Sequence, residues 1–345
     1  MAYKIKYTPA KQLSLIEKEW RSLEIGKEMT LFQSYDWYNM LLEYYIPEDT
    51  KNFVSVFAVI EDDGKACMIA PLWIITKNFR ILNRKGVFFI GRYSFSDYLN
   101  FIYKNFDSEA LNYLLADLHE KFGVNSFTFE DFRKSTSIYD YISNNYKLTS
   151  ITEFPCVDLI VPHTLEEYKK MLSKNSRQNL RTANNRLKRD GKTLTFNLED
   201  LDIDIEKCMM IRESKLMVKY NEFSLWRKYK YRIINRFRYT FPPFFPLKTY
   251  PKSKIMTAYD GERKLRAFFN YGYDPNGKAI RIMAAGTDLD FARYSPGILL
   301  MHHFITNAIE ERKLKEIDFT RGDEKYKFAL GGQQTTNLRF TISLK

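Results

Sequence analysis

The sequence predicts an α/β (α+β) protein of two domains, each a mixed, largely antiparallel sheet flanked by helices. Three observations lead there. The chain has 345 residues, more than the roughly 100 to 150 at which single domains cluster. Helix-period and strand-period apolar patterns alternate along it. In the second half, Asp260-Gly261 and Asp274-Pro-Asn-Gly277 cut one β-rich stretch into three antiparallel strands.

Taken in order, helical patterns over Leu13–Leu23 and Tyr35–Tyr45 precede β-rich runs at Phe53–Ile60, Ala66–Ile75, Val87–Ile90 and Tyr98–Tyr103. A helix over Ser108–Phe122 and a strand over Ser126–Glu130 follow. Apolar periodicity lapses in the polar stretch Ser143–Glu153, which places the domain boundary near 150 and assigns 1–150 and 151–345 to the two domains. The second domain opens with strand Val157–Val161 and a helix announced by Thr164 and Glu167 at capping-box spacing. In the next helix, Arg177–Arg189, an apolar stripe of Leu180, Ala183 and Leu187 adjoins a face carrying Lys174, Arg177, Arg181 and Lys188. A helical region from Ile205 to Tyr239 ends at Pro242, Pro243 and Pro246, completing a basic helical segment over 165–240. Strands Ile255–Tyr259, Leu265–Tyr271 and Ala279–Ala284, helix Gly297–Arg312, strand Glu316–Thr320, a short helix over Lys325–Leu330 and strand Leu338–Leu344 close this domain.

Composition excludes several classes. With 45% hydrophobic and 28% charged residues, 14 glycines and 11 prolines, the chain is globular rather than disordered or collagen-like. The longest apolar stretch, Cys67–Thr76, is about half of the roughly 20 residues a membrane-spanning helix needs. Met1–Trp20 carries no apolar signal region, so a cytoplasmic protein is expected, with peripheral membrane contact left open. Cys67, Cys156 and Cys208 lie far apart, and His119, His163, His302 and His303 show no ligand spacing, so no metal is expected. The net charge of +12 is concentrated in Lys169–Lys192 and Arg212–Arg238, which carry +8 and +7 and leave the remainder slightly acidic. Those segments call for an anionic partner.

Several residues are candidates for chemistry. Tyr294-Ser-Pro-Gly297 opens a helix with Ser295 at the N-cap and Pro296 at N1, an arrangement that serves either as a plain cap or as an anion-binding helix start. On the strand through Asp318, Ile317 and Phe319 face one side and Glu316 and Asp318 the other. Asp323, beyond Gly322, is either a base, if apolar surroundings raise its pKa, or the N-cap of the short helix. His302 reads as a packed core histidine and His303 as solvent-facing. The aromatic run Tyr229, Tyr231, Phe237, Tyr239, Phe241 and Phe244 serves either stacking on a base or sugar, or packing.

Three stretches, Lys174–Gly191, Tyr294–Leu300 and Asp318–Lys327, together with the shorter Gln33-Ser-Tyr-Asp-Trp37 and Ser96-Asp-Tyr-Leu99, resemble GNAT-like acyltransferases of the FemAB superfamily and, within it, the BioF2-like acetyltransferases associated with cell-envelope and exopolysaccharide gene sets. The resemblance implies two tandem GNAT-like domains, an active cleft between them, and acetyl-CoA or another acyl-CoA as donor to an amine. It implies a leaving-group acid at Tyr326, the alternative being packing; Asp323 and Asp318 are the candidate catalytic carboxylates that the strand end itself offers, independently of the resemblance. Arg293, Ser295, Gly297 and Lys327 would hold donor phosphates or an oxyanion, with packing or solvation the alternative for Lys327; Asp97, unless it serves a turn, and Arg321 would contact the acceptor, and the basic face with Arg177 and Arg181 is read as binding acceptor or donor phosphates. The GNAT phosphate loop reads Arg/Gln-x-x-Gly-x-Gly/Ala, whereas here Pro296 and Ile298 occupy the last two small-residue places after Arg293. That departure keeps open an aminoacyl-tRNA-dependent FemAB-type transferase acting on peptidoglycan precursors; for the acyl-CoA reading the acceptor is a small-molecule or nucleotide-linked amine. A non-catalytic nucleic-acid-binding protein is the reading from a different class.

Overall fold

Where the sequence alternates apolar and polar residues it forms strands, and where apolar residues recur at three and four it forms helices that cover them. The computed structural model describes residues 3–45, 49, 53–76, 85–91, 96–221 and 250–344. It divides into two units, the first comprising Met1–Cys156, Asp274–Asn276 and Thr335–Lys345, the second Val157–Tyr273 and Gly277–Gln334.

In chain order the first unit contains β1 (Lys4–Pro9), α1 (Glu17–Leu23), α2 (Tyr35–Tyr45), β2 (Phe53–Asp62), β3 (Lys65–Ile75), β4 (Gly86–Phe89), β5 (Ile102–Tyr103), α3 (Ser108–Phe122), β6 (Ser126–Arg133) and α4 (Ser137–Asn145). β7 (Thr149–Ile160) passes into the second unit, which continues with α5 (Leu165–Met171), α6 (Lys174–Arg189), β8 (Leu194–Asn197), α7 (Ile205–Asn221), β9 (Lys254–Asp260), β10 (Leu265–Tyr273), β11 (Ala279–Thr287), α8 (Pro296–Glu311), β12 (Glu316–Arg321) and α9 (Lys325–Ala329). β13 (Gln333–Ser343) ends the chain.

The first unit orders its strands β1-β2-β3-β4-β6-β13, with β5 beside β3. The β4–β6 pair is parallel, and β3–β4 and β6–β13 are antiparallel. The second unit orders β12-β11-β10-β9-β8, with β11–β12 parallel and the others antiparallel. Each unit therefore places a long helix between two parallel strands and follows it with a short helix: β4, α3, β6, α4 in one and β11, α8, β12, α9 in the other.

Two expectations are corrected. The division falls after Cys156 rather than near 150. The polar stretch Ser143–Glu153 is the end of α4 and the start of β7, whose first five residues are exposed and so show no apolar alternation. Strand Leu338–Leu344 belongs with the first half, because β13 pairs with β6 from Asn337↔Arg133 to Ser343↔Ser126. The helix from Ile205 is described to Asn221; its expected continuation to Tyr239, the prolines after it and the aromatic run through Phe244 lie outside the described residues.

The apolar stripe of α6 packs as expected, with Leu180, Ala183 and Leu187 all buried. In α8, Leu299, Leu300, Met301, Phe304, Ile305, Ala308 and Ile309 enter the same core as Met256, Ala258, Phe269 and Tyr271 from the sheet. Each such side chain contributes about 1.5–3 kcal/mol of burial, which fixes α8 against β10 and sets the place of its first turn.

Candidate active site

β11 and β12 pair over three positions only, Ala279↔Glu316 to Arg281↔Asp318, while β11 runs on to Thr287. Beyond the last pair β11 bulges: Asn270↔Ala284 and Tyr271↔Ile282 leave Met283 as an extra residue in the ladder with β10. The Thr320 hydroxyl donates to the Ile282 carbonyl at 2.9 Å, bridging the strands where they part. A strand that loses its neighbour keeps backbone groups to offer a ligand.

α8 starts beside this opening. Ser295 takes the N-cap place as expected, yet in a left-handed conformation (φ 52°, ψ 48°) and with no side-chain bond to the helix. Pro296 stands at N1, and the first bond of the helix runs from the Leu299 N–H to the Ser295 carbonyl at 3.1 Å. The first-turn N–H groups of Gly297 and Ile298 are left at the positive end of a helix of 16 residues. Glycine at 297 is a matter of space: a Cβ there would meet Thr287 Oγ1 at 2.8 Å.

The equivalent helix of the first unit is closed. Asp107 caps α3, accepting from the Glu109 and Ala110 N–H groups at 3.0 and 3.1 Å, so a carboxylate already fills the anion position.

Tyr326 joins the open site through one ring. Phe269 of β10 would lie 4.0 Å from a Cβ at 297, and its ring centroid is 6.5 Å from that of Tyr326. Phe319 packs edge-on against Tyr326 at 6.3 Å. Burial, with Glu324 adding to it, pushes the Tyr326 phenol well above the usual tyrosine range. It holds its proton at any physiological pH and is a donor. Among the described residues its hydroxyl has no hydrogen-bond partner.

A network that the sequence reading missed ties α6 to this place. Asp190 accepts from Arg293 Nη2 and the Tyr294 hydroxyl, both at 2.9 Å, and from Arg189 Nε at 2.9 Å. Arg186 donates to the Arg293 carbonyl at 3.0 Å. The hydrogen bonds from Arg189 and Tyr294 hold the Asp190 carboxyl below its ordinary range. The contacts to Arg293 and Tyr294 join residues more than 100 positions apart, and a charge pattern on α6 alone does not reveal them.

With that geometry in place, comparison with known proteins is informative. Residues 258–328 match the acetyltransferase (GNAT) domain family. The chain is accordingly a transferase, as the sequence predicts. No curated protein matches the sequence. Among solved structures, FemX superposes with a TM-score of 0.60 at 11% identity, covering 98% of this chain and 96% of its own. The C-terminal domain of a putative lysylphosphatidylglycerol synthetase from Agrobacterium fabrum superposes with a TM-score of 0.52 at 12% identity, covering 97% and 93%. A tandem GNAT protein from the clavulanic acid biosynthesis pathway reaches a TM-score of 0.49 at 9% identity over 100% and 99%. For FemX and the synthetase domain, at these identities, the likeness is one of fold. It agrees with the mixed, helix-flanked sheets predicted from the sequence.

The other expected site residues are placed as follows. Lys327 is 2% exposed, and its ammonium donates to the carbonyls of Thr320, Arg321 and Gly322 at 3.2, 2.9 and 3.0 Å and pairs with Glu324 at 2.9 Å. Its donors are fully engaged in holding the β12–α9 loop, so a phosphate or oxyanion role is corrected to a structural one. Asp318 is fully buried in an ion pair with Arg281, which also binds Glu316 at 2.6 Å, and accepts from the Thr320 N–H at 2.6 Å. It fixes the end of the parallel pair. Asp323 is exposed, outside the apolar surroundings that a tuned base needs, and Glu324 rather than Asp323 takes the N-cap place of α9.

Arg321 is exposed at the end of β12, and Arg293 is exposed and paired with Asp190. Arg177 donates to the carbonyls of Lys169 and Leu172 at 3.0 and 2.6 Å and so caps α5; Arg181 is exposed on α6. Asp97 belongs to the first unit. It follows Ser96, which accepts from the Trp37 indole at 2.8 Å, and precedes Tyr98, whose carbonyl accepts from the Gln33 amide. The two short stretches that carried the weaker resemblance therefore touch one another. His302 is half-buried against Tyr168 and His303 stacks on Phe196. Among the described residues there is no cluster of three or more potential metal ligands and no helix long and apolar enough to cross a membrane.

Proposed function

We propose that the chain is an N-acyltransferase that moves an acyl group, acetyl by default, from acyl-CoA to an amino group on an anionic acceptor, nucleotide-linked or related to the cell envelope and exopolysaccharide. The observation that carries this reading is the uncapped start of α8 and the proton-holding Tyr326 on either side of Phe269. Gly297 and Ile298 N–H groups, with Arg293 beside them, suit a pyrophosphate despite the proline in the loop: Pro296 sits at N1, where no N–H is needed. The bulge at Met283 leaves a backbone group to polarise the thioester carbonyl. The amine attacks that carbonyl, the C–N bond forms, the C–S bond breaks, and Tyr326 delivers its proton to the departing sulfur. The proton of the new ammonium leaves to solvent, to which Asp323 and Glu324 are both exposed.

One observation favours aminoacyl-tRNA as the alternative donor: α6 exposes Lys174, Arg181 and Lys188 and reaches the Arg293 carbonyl through Arg186. Tyr326→Phe separates the two. A thiol of pKa near about 8.5 leaves with little help, whereas a ribose hydroxyl needs its proton delivered. Thiol release from acetyl-CoA, followed over a panel of amino sugars and amino acids, should be detected with at least one amine and fall about tenfold in Tyr326→Phe. Folded protein that releases no thiol with any amine, yet transfers from aminoacyl-tRNA and loses about 10² or more in the variant, would replace the CoA reading with the tRNA one. Equal turnover of the parent and Tyr326→Phe would make Tyr326 a packing residue.

A further inference from the structure

The first unit holds a polar site that the donor chemistry does not use. Asn337 on β13 is 1% exposed, and neither its amide nitrogen nor its amide oxygen has a hydrogen-bond partner. Buried amides without partners are rare and costly, so such a group calls for an explanation. Its antiparallel partner is Arg133 of β6, so the two side chains emerge on one face of the ladder with Cβ atoms about 5 Å apart. The Arg133 guanidinium lies over the Tyr98 ring, 5.2 Å from its centroid.

The backbone around these residues is strained. Between Phe129↔Phe340 and Phe132↔Leu338, β6 contributes Glu130 and Asp131 against Arg339 alone, which is a bulge, and Asp131 adopts φ 50°. Tyr98 adopts φ 57° in a loop held by Gln33 and Trp37. Left-handed backbone at a residue other than glycine is kept where the surroundings enforce it, commonly at ligand sites.

From this we infer that Asn337 and Arg133, with Arg133 stacked on Tyr98, form an oxyanion site in the first unit that takes a carboxylate or phosphate borne by the acceptor. The guanidinium supplies a planar pair of donors and the Asn337 NH₂ a third, the usual recognition of such groups. The Asn337 oxygen accepts from an N–H or O–H next to the anion. The site gives the acceptor a binding place separate from the donor helix. It deepens the transferase reading, on which the word acceptor rests, but its test needs no turnover.

The experiment is calorimetric titration of the full chain with two probes, sodium phosphate and glycylglycine, against sodium chloride of equal ionic strength, for the parent, Asn337→Leu and Arg133→Gln. Saturable binding of at least one probe with Kd of about 1 mM or tighter is expected, the stronger probe naming the anion. Asn337→Leu should lose at least tenfold in affinity while its melting temperature holds or rises, since a buried amide without partners is exchanged for an apolar group of similar size. Arg133→Gln, at a half-buried position, should lose as much and serves if Asn337→Leu fails to fold. Absence of saturable binding by either probe, or undiminished binding in both variants, would overturn the site while leaving the donor reading to its own test.

Discussion

Lys327→Met should cost the protein much of its stability and should do so before any effect on donor binding is seen. The parent ammonium is 2% exposed and donates to three carbonyls at 2.9–3.2 Å while pairing with Glu324. Hydrogen bonds to a charged group are worth about 1.5–3 kcal/mol each but do not add independently. Removing the charge strands the Thr320, Arg321 and Gly322 carbonyls, at about 1–3 kcal/mol for each acceptor left unsatisfied and about 3–5 kcal/mol together because such costs do not add fully; Glu324 is exposed and adds little. At about 2–4 °C per kcal/mol for a large domain, the melting temperature should fall by about 10 °C. Urea unfolding followed by circular dichroism measures the free energy, and titration with CoA at low temperature measures binding. A variant that keeps the parent's melting temperature but no longer binds CoA would refute the structural role and restore Lys327 to the donor site.

Burial holds His302 below the usual histidine pKa, so the unfolded chain takes up its proton first as pH falls. Its contribution is present above about 6.5 and is lost below it; the urea midpoint should drop from pH 7 to pH 5, and by less in His302→Phe. Burial pushes the Cys67 thiol up to about 11 and the Cys208 thiol up to about 12. Both should react with iodoacetamide at pH 8 far more slowly in the folded protein than in urea, where a pKa near about 8.5 makes a sizeable fraction thiolate; equal rates would contradict the burial of either thiol.

Much of the fold is legible because it is written in local periodicity. Leu180, Ala183 and Leu187 announce the buried face of α6, and the turn at Asp260 announces its hairpin, although the Asp260 carboxylate caps a wider turn by accepting from Glu262 and Lys264 rather than forming a two-residue one. What local pattern cannot tell is which unit a strand joins. β13 looks like the last strand of the second half and is bound instead to β6, about 200 positions earlier. The site divides the same way. Pro296 and Gly297 signal a helix start that can meet a phosphate, and Tyr326 is singled out only by the resemblance. Lys327, Arg177 and Asp318 have the composition of ligands for anions and protons, but their partners are carbonyls and charges that only the folded chain brings near. The roles of Asp190 and Phe269, which shape the same place, are not legible because the partners that define them, Arg293 and Tyr294 for one and Tyr326 for the other, are remote in sequence.

The central claim, that the start of α8 holds the donor pyrophosphate, is tested most directly by calorimetric titration of acetyl-CoA into the parent, Gly297→Ala and Gly297→Asp. Both variants carry the Cβ that meets Thr287 Oγ1, so the alanine protein reports the steric effect and the difference between them reports the charge. The account predicts saturable binding by the parent, a modest loss in Gly297→Ala, and no measurable binding in Gly297→Asp at a melting temperature matching that of the alanine variant. Acetyl-CoA bound by folded Gly297→Asp with the affinity of Gly297→Ala would contradict it.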